Sequence, residues 1–326
     1  MDMLLNDWLF TEWLTKPIWM WALFITIVLV LLVLDLSVLH RKQHAITTRE
    51  SLLTTLGYCS LALLFGGWVW WEMGHAKALE YYTGYVVEFS LAMDNVFVIA
   101  MILGFFKIPA KYQHRVLFWG ILGVIVLRGI MIGVGAALVQ EFHWVLYLFA
   151  GFLVFSGIKM LLLVNHESDL GNNPVLKLLR RYGRVTEKHH GDKFFVRLKD
   201  SNTGHYAWYM TPLMVALILV EIADVVFAVD SVPAIFAITT DPYIVYTSNI
   251  FAILGLRALY FTLADMLERF KYLKYALAIL LIFIGSKIFV ADLLGLEKIP
   301  ASIGLGGTFL ILAIGVAYSL YKTRKV

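Results

Sequence analysis

Apolar residues in this chain come in long uninterrupted runs separated by short polar breaks. A helix needs about 20 predominantly apolar residues to cross a bilayer. Such runs fall at nine places: 18–39, 52–72, 82–106, 114–139, 143–164, 208–238, 243–264, 273–293 and 301–321. The pattern predicts an all-α polytopic membrane bundle of nine transmembrane helices, with residues 1–326 forming a single transmembrane domain. Pro233 lies inside the long sixth run and predicts a kink or break there. The one sizeable polar segment is 165–207, expected to be a cytoplasmic loop. Within it, Pro174 to Arg181 places apolar residues at helical spacing with a basic face, the pattern of a short helix lying on anionic lipid. Trp8, Trp13, Trp19 and Trp21 surround the first run as an interfacial belt would. No small-residue cleavage site follows that run, so it is expected to stay as an anchor.

Composition agrees with lipid as the solvent. Hydrophobic residues make up 60% of the chain and charged ones 15%, with mean hydropathy +0.79. Soluble domains carry about a quarter charged residues. The net charge of +4 is scattered over short clusters, which argues against nucleic acid as a partner. The single cysteine, Cys59, allows no internal disulfide and no CxxC motif. No Walker lysine motif, GxGxxG, HExxH or GxSxG is present, so neither ATP coupling nor an enzymatic reaction is expected. Of the 27 lysines and arginines, 20 fall after spans one, three, five and seven or in the C-terminal tail, counting Arg115 and Lys274 at the very start of the spans that follow, and three on the opposite side. The positive-inside rule then predicts an outside N-terminus and a cytoplasmic C-terminus.

The chain also repeats itself. Glu88 and Asp94-Asn95 in the third span match Asp224 and Asp230-Ser231 in the sixth. Leu127-Arg128 matches Leu256-Arg257, and Gly157 with Lys159 matches Gly285 with Lys287. These markers define repeat one as 82–164 and repeat two as 208–293, three spans each (3–5 and 6–8). An odd number of spans per copy inverts the second copy in the membrane, an arrangement many secondary transporters share.

A carboxylate at membrane depth is costly and is by default functional. This chain puts Glu88, Asp94, Glu221, Asp224 and Asp230 there. Ideal helix geometry gathers Glu88 with Asn95, Asp224 with Ser231, and Glu221 with Asp224, and leaves Asp94 and Asp230 about 100° round. Local unwinding near Pro233 would bring the last two in and free carbonyls as ligands. Glu88, Asp94, Asn95, Glu221, Asp224, Asp230 and Ser231 would then form an oxygen-rich metal site. Such a site suits Mn2+, Ca2+ or Mg2+ as transported substrate rather than zinc or copper, and no histidine lies near these motifs in sequence. Arg128 and Arg257 are the expected charge partners, either as permanent ion pairs or as stand-ins for the cation when the site is empty. Lys159 and Lys287 are close enough to their span ends to snorkel. Gly129, Gly133 and Gly135 allow close helix packing, within one chain or between protomers.

The stretches from Glu88 to Asn95, from Glu221 to Ala234 and from Thr247 to Tyr260 closely resemble the TerC family of integral membrane proteins, in particular its Alx branch of alkaline-induced manganese exporters. The resemblance extends over the whole chain. It implies a fold like that of the LysE superfamily, residence in a bacterial inner membrane and efflux of Mn2+. It also implies a transport role for Glu88, Asp94, Asp224 and Asp230, with Glu221 beside them. Proton antiport would follow if the same carboxylates carry protons on return. The competing reading is a membrane scaffold that binds metal without moving it, supporting metallation or tellurite and metal stress resistance.

Overall fold

The computed structural model describes residues 10–34, 47–162, 174–186, 188, 190–199, 205–264, 272–296 and 299–323. Within helices, the side chains at 94, 97, 174, 175, 180, 182, 263 and 264 are also outside the described set, as is the predicted anchor Trp8. A small hairpin of β1 (Glu12–Trp13) and β2 (Lys16–Pro17) leads into α1 (Ile18–Leu34). There follow α2 (Thr48–Met73), α3 (His75–Phe105), α4 (Ala110–Glu141), α5 (Val145–Leu162) and the short α6 (Pro174–Tyr182). Strands β3 (Phe195–Lys199) and β4 (Tyr206–Met210) pair antiparallel, Phe195 opposite Met210. The chain closes with α7 (Pro212–Phe236), α8 (Pro242–Ala264), α9 (Leu273–Leu293) and α10 (Ala301–Thr323).

Eight of these helices, α2 to α5 and α7 to α10, are long and apolar enough to cross a membrane. The first predicted span appears as α1, 17 residues among the described ones, and its predicted end at 35–39 lies outside them. Helix α3 starts seven residues before the predicted span, because a single residue, Gly74 (φ 88°), turns the chain from α2 into α3. With 31 residues α3 is longer than the hydrocarbon core is thick: at 1.5 Å per residue it measures about 46 Å. Helix α7 starts at Pro212 rather than 208, since Trp208, Tyr209 and Met210 belong to β4, an apolar strand that merges with the run in the sequence.

Two expectations are corrected. Helix α7 runs unbroken past Asp230 and through Pro233, which sits in its last turn, where loss of one amide donor is tolerated. Trp21 belongs to the core rather than to an interfacial belt: it is 6% exposed, donates its indole N–H to the Trp13 carbonyl at 3.0 Å and packs edge-on against Tyr243.

The centre of the bundle is α8, whose apolar window is 83% buried, against 22–50% for the other seven candidate spans. It packs on α2, α3 and α4. The remaining neighbours include α3 with α7, α4 with α7, and α5 with α9. Exchanging α3, α4, α5 for α7, α8, α9 leaves these contacts among the six helices unchanged. At the α5–α9 crossing the correspondence reaches single atoms. A methyl group at Gly157 would sit 2.6 Å from the Ala278 carbonyl oxygen, and one at Gly285 would sit 2.6 Å from that of Ala150. Each glycine is seven residues after the alanine that receives the other.

One end of the bundle is stitched by charge. Lys16 reaches Asp241 at 3.1 Å, and Lys77 reaches Glu80 at 2.9 Å and Asp241 at 3.7 Å. Thr239 donates its hydroxyl to Glu80, and Asp241 accepts from the Tyr243 amide at the start of α8. The cluster ties the entrance to α1, the first turn of α3 and the α7–α8 turn together.

Candidate functional site

Arg128 of α4 is the largest fully buried side chain among the described residues. Its guanidinium lies where α3, α7 and α8 meet, and every acceptor it finds belongs to one of those helices. Nε and Nη2 fork onto Asp224 at 3.3 and 3.1 Å. Nη1 donates to Glu88, to Ser231 Oγ at 3.0 Å and to Asn249 Oδ1 at 3.0 Å. A planar guanidinium suits this role because it presents its donors in a fixed fork and stays charged when buried. Two carboxyl groups thus share one guanidinium. Glu88 Oε2 and Asn249 Nδ2 are buried without a hydrogen-bond partner among the described residues.

Two cavities flank this bridge. The first, about 60 Å³, is lined by Asn95, Asp224, Arg257 and Tyr260, with apolar residues from α3, α4, α7 and α8. That volume holds a few water molecules. The second, about 430 Å³, is lined by Glu88, Asn95, Ser156, Lys159, Asp230 and Ser231. Glu88 therefore faces one cavity and Asp224 the other, with Arg128 between them. Asn95, 7% exposed, borders both.

The helical faces read from the sequence hold here. Glu88 and Asn95 line one cavity, and Asp224 and Ser231 clasp one guanidinium. Glu221 joins Asp224 in facing α4 but stands apart from the bridge. Its carboxylate lies in a seat left by Gly123, where a methyl group would sit 2.2 Å from Oε1, and its Oε2 is buried without a hydrogen-bond partner among the described residues. Asp230 diverges, as the ideal helix requires, and accepts a bond from Ser156 at 2.8 Å. The backbone of Asp94 belongs to α3, and its side chain lies outside the described set. Among the described residues no three His, Cys, Asp or Glu side chains converge as a metal-holding group. Among the described residues, which leave out the Asp94 side chain, α3 and α7 stay helical and Arg128 lies between the carboxylates of Glu88 and Asp224.

Arg257 does not mirror Arg128. Its Nη2 lies 2.9 Å from His114 Nε2, and its guanidinium lies over the Phe118 ring, while it lines the small cavity. A histidine therefore stands next to the site, although it is far from the acidic motifs in sequence. Lys159 borders the larger cavity, and the Lys287 amine sits against Gly304 of α10, so both point to protein features that snorkelling alone does not describe. Of the three glycines in α4 expected to permit close packing, Gly135 seats Phe236 and Gly133 has no near neighbour, whereas the sequence reading passed over Gly123. It also missed the roles of Asn249 and Ser156. Asn249 had a signal: an amide inside a span, about two turns before Arg257.

The profile of the "Integral membrane protein TerC family" matches residues 73–326, and the chain belongs to that family. A membrane protein of Rickettsia bellii is 48% identical over 306 residues, covering 94% of this chain and 98% of the relative. A Myxococcus xanthus membrane protein is 45% identical over 305 residues, covering 94% of this chain and 93% of its own length. The Escherichia coli K12 protein Alx, described as a candidate membrane-bound redox modulator, is 46% identical over 304 residues, covering 90% and 92%. No solved structure matches the chain.

Proposed function

We propose that this chain is a secondary transporter that exports a divalent cation, Mn2+ foremost, across a bacterial inner membrane by alternating access. The observation that carries the reading is the buried Glu88–Arg128–Asp224 bridge between two cavities, with Asn95 common to both. A salt bridge serving only stability has no need of cavities on its two sides, and buried ion pairs are poor stabilisers against apolar packing. Arg128 stands in for the absent cation. A divalent ion entering between Glu88 and Asp224 neutralises both carboxylates once the guanidinium withdraws toward Ser231 and Asn249. Oxygen ligands from carboxylate, amide and hydroxyl groups suit Mn2+, Ca2+ and Mg2+. The distribution of basic residues supports an orientation with the stitched Lys16–Asp241 end outside and the 165–207 segment in the cytoplasm. Carboxylates that release the ion bind protons in its place, which makes the exchange an antiport.

The redox role named for the Escherichia coli relative fits the same mechanism. One cysteine provides no internal dithiol, whereas control of a redox-active ion such as Mn2+ alters redox balance without electron transfer through the chain.

Mn2+ flux into proteoliposomes tests the reading. The native protein is expected to move Mn2+ with counterflow of protons, and Glu88→Gln and Asp224→Asn to reduce flux roughly tenfold or more. A native protein that binds Mn2+ but moves neither Mn2+, Ca2+ nor Mg2+ would instead be the metal-binding scaffold. Flux indifferent to a proton gradient would remove the antiport.

A further inference from the structure

At the end of the bundle that carries the basic loops, α3 stops near the start of α7, and residues 183–186, just after α6, lie beside both. Between them lies a cavity of about 640 Å³, with Phe105, Phe106, Leu176 and Val215 on its apolar walls. Two cations border it, Lys107 and Arg184, and among the described residues no carboxylate does. Neither cation has an acidic partner among the described residues.

Lys107 occupies a position that its backbone disfavours. Helix α3 ends with the Lys107 amide donating to the Gly104 carbonyl and the Ile108 amide to that of Leu103, both at 2.9 Å, and Ile108 is buried. This termination needs a left-handed residue after the cap. Helix α9 ends with the same two bonds, from Gly295 to Asp292 and from Leu296 to Ala291, and there the left-handed residue is glycine, φ 65°. In α3 it is lysine, φ 52°. A side chain at that φ is disfavoured relative to glycine. A cation at a helix C-terminus offsets part of the cost, but that does not explain the second cation on the facing wall. Arg184 is held there by its backbone: its carbonyl accepts from the Met210 amide at 2.7 Å, and two residues on the Thr186 amide donates to the Met210 carbonyl at 2.9 Å.

We infer that this cavity binds one anionic phospholipid, its phosphate between Lys107 and Arg184 and an acyl chain along Phe105, Phe106 and Val215. The charge is complementary and the site lies at helix ends, the depth of headgroups. Free phosphate would satisfy the cations but has no use for the aromatic wall. Bound there, the lipid joins residues 183–186 to α3 and α7, the helices that carry Glu88 and Asp224. The inference rests on membrane placement and not on the identity of the transported ion.

The test uses the full chain, purified in detergent, stripped of lipid and titrated separately with phosphatidylglycerol, phosphatidylcholine and inorganic phosphate, with bound species read by native mass spectrometry. Phosphatidylglycerol is expected to be retained and phosphatidylcholine not. Lys107→Gly removes the cation while relieving the backbone, so the fold is preserved, and it should weaken retention about fivefold. Arg184→Gln should do the same, and Lys188→Gln, exposed and outside the cavity, should not. Equal retention of phosphatidylcholine, displacement by millimolar phosphate, an inert Lys107→Gly, or an equal effect of Lys188→Gln would each overturn the lipid site. Because flux is not the readout, this result and the transport result stand or fall separately.

Discussion

Arg128 and Arg257 occupy matching places in the two copies, each after a leucine and each about thirty residues before a lysine, yet they live in different surroundings. Arg128 is wholly enclosed and holds two carboxylates, a hydroxyl and an amide. Arg257 lines a cavity that Asp224 also borders, with an imidazole and a phenyl ring against it. The likeness in sequence around the two arginines therefore does not extend to what surrounds their guanidinium groups: one is clasped by acceptors from three helices, the other borders a cavity.

The largest expected effect follows from that difference in enclosure. Arg128→Met leaves Glu88 and Asp224 buried without a counter-charge and is expected to cost about 3–5 kcal/mol in stability. Arg257→Met removes a cation bordering water-accessible space and should cost clearly less. Adding Glu88→Gln and Asp224→Asn to Arg128→Met should recover much of the loss, because the uncompensated charges disappear with their partner. Thermal unfolding in detergent measures all three. Similar losses at the two arginines would dissolve the comparison.

What the sequence could and could not tell follows the same line. Spans, polarity of the loops, the faces of α3 and α7 and the divergence of Asp230 all depend on helical periodicity and hydropathy, which are local. Asn249 beside Arg128, Ser156 beside Asp230, Gly123 beneath Glu221 and His114 beside Arg257 depend on which helices touch, with partners 121, 74, 98 and 143 residues apart. Periodicity carries no information about such pairs. The expected break at Pro233 failed for a related reason: a proline removes one hydrogen bond wherever it sits, but only its place relative to the helix end decides whether the helix yields. The β3–β4 hairpin was hidden because β3 lies in the polar segment and the apolar end of β4 merges with the run read as the sixth span.

Intermediate effects are expected at the glycines. Gly123→Ala would drive a methyl group into the Glu221 carboxylate and should cost about 1–3 kcal/mol, the usual range for overpacking. Gly133→Ala, with open space around it, should be neutral or gain up to about 1 kcal/mol of helix propensity. Gly157→Ala and Gly285→Ala meet equivalent carbonyls at the same distance and should cost the same to within about 0.5 kcal/mol. A large difference between these last two would show that the α5–α9 crossing is symmetric in contact but not in its freedom to relax.

The smallest effect is expected at His114, and it tests how Arg257 is held. A neutral imidazole offers Nε2 as an acceptor to the Arg257 guanidinium, 2.9 Å away. Glutamine offers a carbonyl oxygen in its place, so His114→Gln at neutral pH should change stability by no more than about 0.5 kcal/mol. Leucine offers no acceptor at all, so His114→Leu should cost about 1 kcal/mol more than His114→Gln. Thermal unfolding of the two variants in detergent measures the gap. Equal stabilities would mean that Phe118 and the rest of its surroundings hold Arg257 without the histidine. A clear gap would make the acceptor at position 114 part of what positions Arg257 against the small cavity.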